Sequence, residues 1–162
     1  MTQKDKDLLL KDLSARLPYG VIVRHSDCII DDNYNETGEF HYTKGYLYDV
    51  CRMDDMTTTI IESEGEREGY EHICFLERTI PYLRPMSSMT DTELVEFLEI
   101  RGMNINSEEL KTFRSGKTAI VSLLPSYSRH IDWLLEHHFD YRGLIEKGLA
   151  IEVTEENNPY EN

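Results

Sequence analysis

The chain has 162 residues and a formal net charge of −14, from 17 basic and 31 acidic side chains. That balance argues against gripping nucleic acid or an anionic membrane surface, because both need lysine and arginine to meet phosphate. Hydrophobic residues at 40% and charged residues at 30% exclude a disordered chain, and the length suits one domain, 1–162, that needs no disulfide or metal staple.

From the N-terminus, residues 4–17 read as a helix, because Leu9, Leu10, Leu13 and Leu17 recur at helical spacing before Pro18 and Gly20 end it. Residues 20–83 are β-rich. Val21-Ile22-Val23 is a short apolar run, Phe40 and Tyr42 alternate with His41 and Thr43, and Tyr46, Tyr48 and Val50 alternate with Leu47, Asp49 and Cys51. Thr58, Ile60, Ile73 and Phe75 continue the β-branched and aromatic usage. Turn chemistry is expected at 31–33, 35–38, 43–45 and 64–69. Strands joined without intervening helices imply a small antiparallel sheet, flat or closed into an SH3-like barrel. Pro81 and Pro85 bracket an extended connector from this sheet to the C-terminal half.

Residues 90–149 read as mainly helical. Thr90 with Glu93 forms a capping-box pattern ahead of Leu94, Phe97 and Leu98. A short helix from Ser107 and a strand over 118–124 are expected next. Ser126 or Ser128 then caps a helix bearing Ile131, Leu134, Leu135 and His138, and one more turn or two ends at Gly148. A last strand is expected near 150–153, followed by a polar tail, 154–162, expected to fray. The fold class is therefore α+β, with an N-terminal helix, the sheet or barrel, and a helical C-terminal half.

Chemistry-bearing residues are sparse. Cys28, Cys51 and Cys74 cannot all pair within the chain, no Cys-x-x-Cys is present, and the opening MTQKDKDLLL lacks an apolar leader core. These features imply reduced thiols, mostly buried in the sheet, and a cytoplasmic setting. Gly116-Lys117-Thr118 lacks the glycine a phosphate-binding loop needs five residues earlier, where Lys111 stands. His137 and His138 are adjacent, so on a helix they diverge by about 100° and are not a metal pair; no metal or cofactor is expected.

The densest stretch runs from Trp133 to Leu149. His137, His138, Asp140, Tyr141 and Arg142 form the candidate binding cluster, with Arg84 a further anion-reaching side chain. No serine or cysteine nucleophile stands beside them, and no catalytic residue is assigned. The structural alternative makes Asp140 a cap, pairs Arg142 with an acid, and buries Phe139 with Trp133. Met86 and Met89 read as core filler.

Three segments, KDLSARLPYGV at 11–21, PYLRPMSSMT at 81–90 and HIDWLLEHHFDYRGLIEKGLAIE at 130–152, carry a resemblance. Together they cover a little over a quarter of the chain, and they resemble small uncharacterised proteins of prophages and mobile elements of gut bacteria. The resemblance implies a bacterial cytosol and a phage-like lifestyle, and it supplies no catalytic residue. The function expected is a non-enzymatic protein-binding module acting on a bacterial host protein. Two alternatives stand beside it: a small enzyme or ligand-binding protein using the 137–142 cluster, and an acidic DNA mimic. A binding module requires an exposed apolar or tyrosine-rich patch, whereas an enzyme requires His137 or His138 to meet Asp140 or Arg142 in a pocket.

Overall fold

A computed structural model describes residues 1–30, 36–53, 56–63, 71–100 and 128–161. Helix α1 spans Gln3–Arg16 and opens on a capping box. The Thr2 hydroxyl accepts from the Asp5 N–H at 3.2 Å, and the Asp5 carboxylate accepts from the Thr2 N–H at 3.0 Å. Leu9 and Leu13, one turn apart, are fully buried, while Leu10 and Leu17 pack at the margin of the same core. A 3-10 turn at Leu17–Tyr19 ends on Gly20, whose φ of 62° is a left-handed conformation suited to glycine.

Six strands come next: β1 (Ile22–Ile30), β2 (Glu36–Met53), β3 (Met56–Ser63), β4 (Glu71–Phe75), β5 (Thr79–Leu83) and β6 (Ile151–Glu152). They form one sheet in the order β4-β3-β2-β1-β5-β6. Neighbours run antiparallel except β5 and β6, which run parallel, so the sheet is mixed. The SH3-like barrel is not formed. Closure would need β4 to meet the far edge, but β6 occupies the outer side of β5 and the two edges stay at opposite ends.

Three other expectations are corrected within the sheet. The turn expected at 43–45 does not exist, since β2 runs unbroken for 18 residues. Gly45 is there for close approach: a Cβ at that position would lie 2.1 Å from the Glu62 carbonyl oxygen of β3. The turn expected at 35–38 is, from Glu36, the start of β2, which pairs with Ile30 of β1. The extended connector at 81–85 is instead built on strand β5, where Pro81 sits opposite Val23. The expected turns at 31–33 and 64–69, the Ser107 helix, the 118–124 strand and Gly116-Lys117-Thr118 lie outside the described residues.

Cross-strand partners share a face of the sheet. Val23, Leu47, Ile61, Cys74 and Leu83 point to the face covered by α1, where they meet Leu9 and Leu13, and Leu144 and Leu149 complete this core. Lys6 of α1 pairs with Glu77 between β4 and β5, tying the helix to that end of the sheet. None of the three cysteines is in a disulfide. Cys74 is buried, and burial with the nearby Asp27 charge pushes its thiol up to about 12, whereas Cys28 and Cys51 are only half-buried. The expectation of mostly buried thiols is thus met by one of the three.

Helices α2 (Asp91–Glu99) and α3 (Ser128–Glu136) build a second core from Met89, Leu94, Phe97, Leu98, Trp133, Leu134 and Phe139. The Thr90 capping box is present, with the Thr90 hydroxyl accepting from the Glu93 N–H and the Glu93 carboxylate accepting from the Thr90 N–H. Helix α3 stops before His138, and residues 137–150, expected as helix, form turns and bends with one parallel β-bridge between Phe139 and Arg84. No described helix is long and apolar enough to cross a membrane.

The tail does not fray. Pro159 is buried, and the Tyr160 hydroxyl accepts from the Ile22 N–H at 3.3 Å and donates to the Tyr82 carbonyl at 2.8 Å. Tyr160 thereby stands just beyond Val23 and Pro81, the end pair of the β1–β5 ladder. Each of its groups finds a partner that water would otherwise supply.

Candidate functional site

Two regions compete for the role of functional site: the corner at 137–142 that the sequence singles out, and the sheet face turned away from α1.

At the corner, α3 ends in a Schellman arrangement. The Phe139 N–H reaches the Leu134 carbonyl at 2.9 Å and the His138 N–H reaches the Leu135 carbonyl at 3.1 Å. His138 fills the left-handed position with φ 58°, where glycine is usual. Its ring stacks on Tyr160 at 3.9 Å between centroids. Burial, with the charges of Arg16, His137 and Arg84 adding to it, lowers the His138 pKa to about 4. The His137 ring stacks on Trp133 at 3.9 Å, and its Nδ1 donates to the Trp133 carbonyl at 2.9 Å.

Asp140 is buried and caps the turn beyond it. Its two oxygens accept from the Leu144 and Ile145 N–H groups, each at 2.8 Å. That single turn ends at Gly148 with φ 67°. Arg142 donates to Asp12 of α1 at 3.0 Å. Asp12 also accepts from Arg16 at 2.6 Å, and Arg16 donates to the Phe139 carbonyl at 2.9 Å. Asp12 and Arg16 are wholly buried, so this triad clamps α1 to the corner. Tyr141 packs against the α2–α3 core, and burial raises its hydroxyl pKa.

Arg84 joins the same corner through its backbone. Its N–H donates to the His138 carbonyl and its carbonyl accepts from the Asp140 N–H. Its guanidinium holds Glu93 by two bonds of 2.6 and 3.0 Å and lies 4.3 Å from the Phe139 ring centroid. Burial would raise the Glu93 carboxyl, but the bonds from Arg84 and Thr90 outweigh it and hold it at about 2. The structure therefore brings all six sequence-predicted residues together; the side chains of His137, Asp140, Arg142 and Arg84 bond to the fold, while the His138 Nδ1 and the Tyr141 hydroxyl are buried without a hydrogen-bond partner. The His137 ring nitrogen bonds a backbone carbonyl, while Asp140 and Arg142 are taken up by backbone N–H groups and by Asp12, so no acid–base pair is assembled. No group of three metal-ligating side chains occurs among the described residues.

The sheet face away from α1 is built differently. The β1–β2 register puts Phe40 opposite Cys28, Tyr42 opposite Ser26 and Tyr46 opposite Ile22 on this face. The β3–β4 register adds Phe75 beside Thr58 and Ile73 beside Ile60. Between Leu47 and Asp49 the β2–β3 register shifts by a bulge that turns Tyr48 outward. The exposures are large: Tyr48 62%, Ile73 66%, Tyr42 55%, Phe40 47% and Phe75 44%. Arg24 lies 4.8 Å from the Tyr42 ring centroid and Arg78 lies 5.8 Å from that of Phe75, so two of these rings already carry guanidinium groups.

Sequence reasoning missed this face. Its signal was present, since both phases of the strands are apolar: Leu47 alternates with Tyr46 and Tyr48, and Ile60 adjoins Ile61. A strand with one wet face normally carries polar side chains in the second phase. No family model, curated protein or solved structure matches the chain.

Proposed function

We propose that this chain is a non-enzymatic protein-binding module that docks its partner on the open aromatic face of the sheet. The observation that carries the reading is the outward display of Phe40, Tyr42, Tyr48, Ile73 and Phe75 on one continuous face. Scattered apolar residues need no explanation, but five large apolar side chains displayed on one sheet face cost solubility and are a common mark of an interface. Tyrosine and phenylalanine also give much contact area for little lost side-chain freedom. On the resemblance to proteins of prophages and mobile elements, the partner is a protein of the bacterial host and the setting is its cytoplasm.

The enzyme alternative draws no support from the corner, where His137, Asp140, Arg142 and Arg84 are all bonded within the fold. The test is photo-crosslinking in bacterial cells from a benzoyl-phenylalanine placed at Tyr42 or Tyr48. Discrete protein adducts are expected from both positions and not from Lys11 or Glu146, which are exposed elsewhere. Equal adducts from all four positions, or none from Tyr42 and Tyr48, would overturn the reading.

A further inference from the structure

The open face is nearly balanced in its own charge. Arg24 and Lys44 share it with Asp49 and Glu62, as the registers of β1, β2 and β3 require. The chain as a whole is not balanced, at −14. Whatever approaches the face does so through that field. A second copy carries the same −14 and is repelled, and a nucleic acid is repelled for the same reason. A basic protein segment is attracted, and its cations find a ready seat. Aromatic rings attract ammonium and guanidinium groups by their electron-rich faces, as Arg24 on Tyr42 and Arg78 on Phe75 already show within the chain.

We propose that the occupant of the open face is a basic segment of another protein, which sets arginine or lysine side chains on Phe40, Tyr46 and Tyr48 and aliphatic side chains against Ile73 and Phe75. This rests on the protein-binding reading above and narrows it to one chemistry. Long-range acidity speeds encounter, and the rings fix where the segment lands. Docking by rings and acidity together has a signature that neither produces alone: it weakens with salt and also with loss of a single ring.

The experiment uses two synthetic peptides with the same apolar pattern, one carrying arginine and the other glutamate at every polar position. Each is titrated into the wild-type chain and into Tyr48→Ser at about 50 and 500 mM salt, on either side of the change in Debye screening. Tyr48 is exposed, so the variant should keep its melting temperature, which is measured in parallel. The expected result is at least about tenfold tighter binding of the arginine peptide, with about tenfold losses both at high salt and in Tyr48→Ser. Equal binding of the arginine peptide to wild type and variant would mean attraction to general acidity and overturn the proposal. Ring-dependent binding of the glutamate peptide instead would overturn it while leaving the protein-binding reading standing. A Tyr48-dependent dimer in sedimentation would assign the face to a second copy, and failure of both peptides to bind also counts against the basic occupant.

Discussion

The corner at 137–142 and the open face of the sheet are opposites in what they display and what they use. The corner holds histidines, aspartate and arginines, the residue types of chemistry, and consumes them in its own architecture: Asp140 caps a turn, Arg142 reaches Asp12, and His137 lies on Trp133. The open face holds rings and aliphatic groups with little inherent reactivity, and leaves them in water. Side-chain type is therefore a poorer guide to function here than whether a side chain's interactions are already satisfied. Buried groups with partners hold the fold, and the exposed rings are left open for the docking proposed above.

The largest loss of stability is expected at Trp133. Its ring touches Phe97, His137 and Phe139 in the α2–α3 core, and truncating such a ring typically costs about 3–5 kcal/mol. Urea unfolding of Trp133→Ala should show that loss, and a change under about 1 kcal/mol would mean the corner is not a keystone of the fold. Asp12→Ala tests the clamp from the other side of the molecule. It leaves the wholly buried Arg16 without its counter-charge, a situation that typically costs about 3–5 kcal/mol. Adding Arg16→Met in the same chain should recover a substantial part of the loss, since the wholly buried cation is then gone and only the partly exposed Arg142 lacks its partner.

His138 sets a pH dependence of definite sign. Its folded pKa, about 4, lies below the ordinary 6.5, so the unfolded chain binds the proton first as the pH falls. The stability it contributes is complete above about 6.5 and is lost progressively toward pH 4, by up to roughly 3 kcal/mol. Chemical denaturation across that window should show the slope in the wild type and a flatter one in His138→Asn. Asparagine tolerates the left-handed backbone and has no proton to gain. An unchanged slope in the variant would assign the effect elsewhere. The Arg84–Glu93 pair loses its contribution only lower, as the pH falls from about 4.5 toward 2, so the two effects separate along the pH axis. The smallest stability effect belongs to the open face: Tyr48→Ala should stay within about 0.5 kcal/mol of wild type by the same measurement.

How much of the molecule was legible in the sequence depends on the range of the interaction involved. The α1 stripe of Leu9 and Leu13 and the Thr90–Glu93 capping box are local devices, fixed by residues within one turn, and both could be read directly. The Asp140 cap was legible for the same reason, while the acid that pairs with Arg142 was not, because Asp12 lies 130 residues away in the chain. Gly45 looked like a turn because only the approach of β3 explains a glycine there. The tail looked free because Tyr160 finds its partners, Ile22 and Tyr82, far back in the sequence. The open face was the hardest to see. Alternation along β2 reveals two phases but not which one α1 will cover, and that choice is made in three dimensions.

The decisive measurement sets stability against docking in the same variants. Melting temperature and the crosslinked adduct from a benzoyl-phenylalanine at position 42 are measured for Tyr48→Ala, His137→Ala and Arg142→Ala. If the open face docks the partner, Tyr48→Ala keeps its melting temperature and loses most of the adduct, while in the two corner variants the adduct falls only as far as stability does. A His137→Ala or Arg142→Ala protein that melts like wild type yet forms no adduct would contradict this, and would return the corner to the role of functional site.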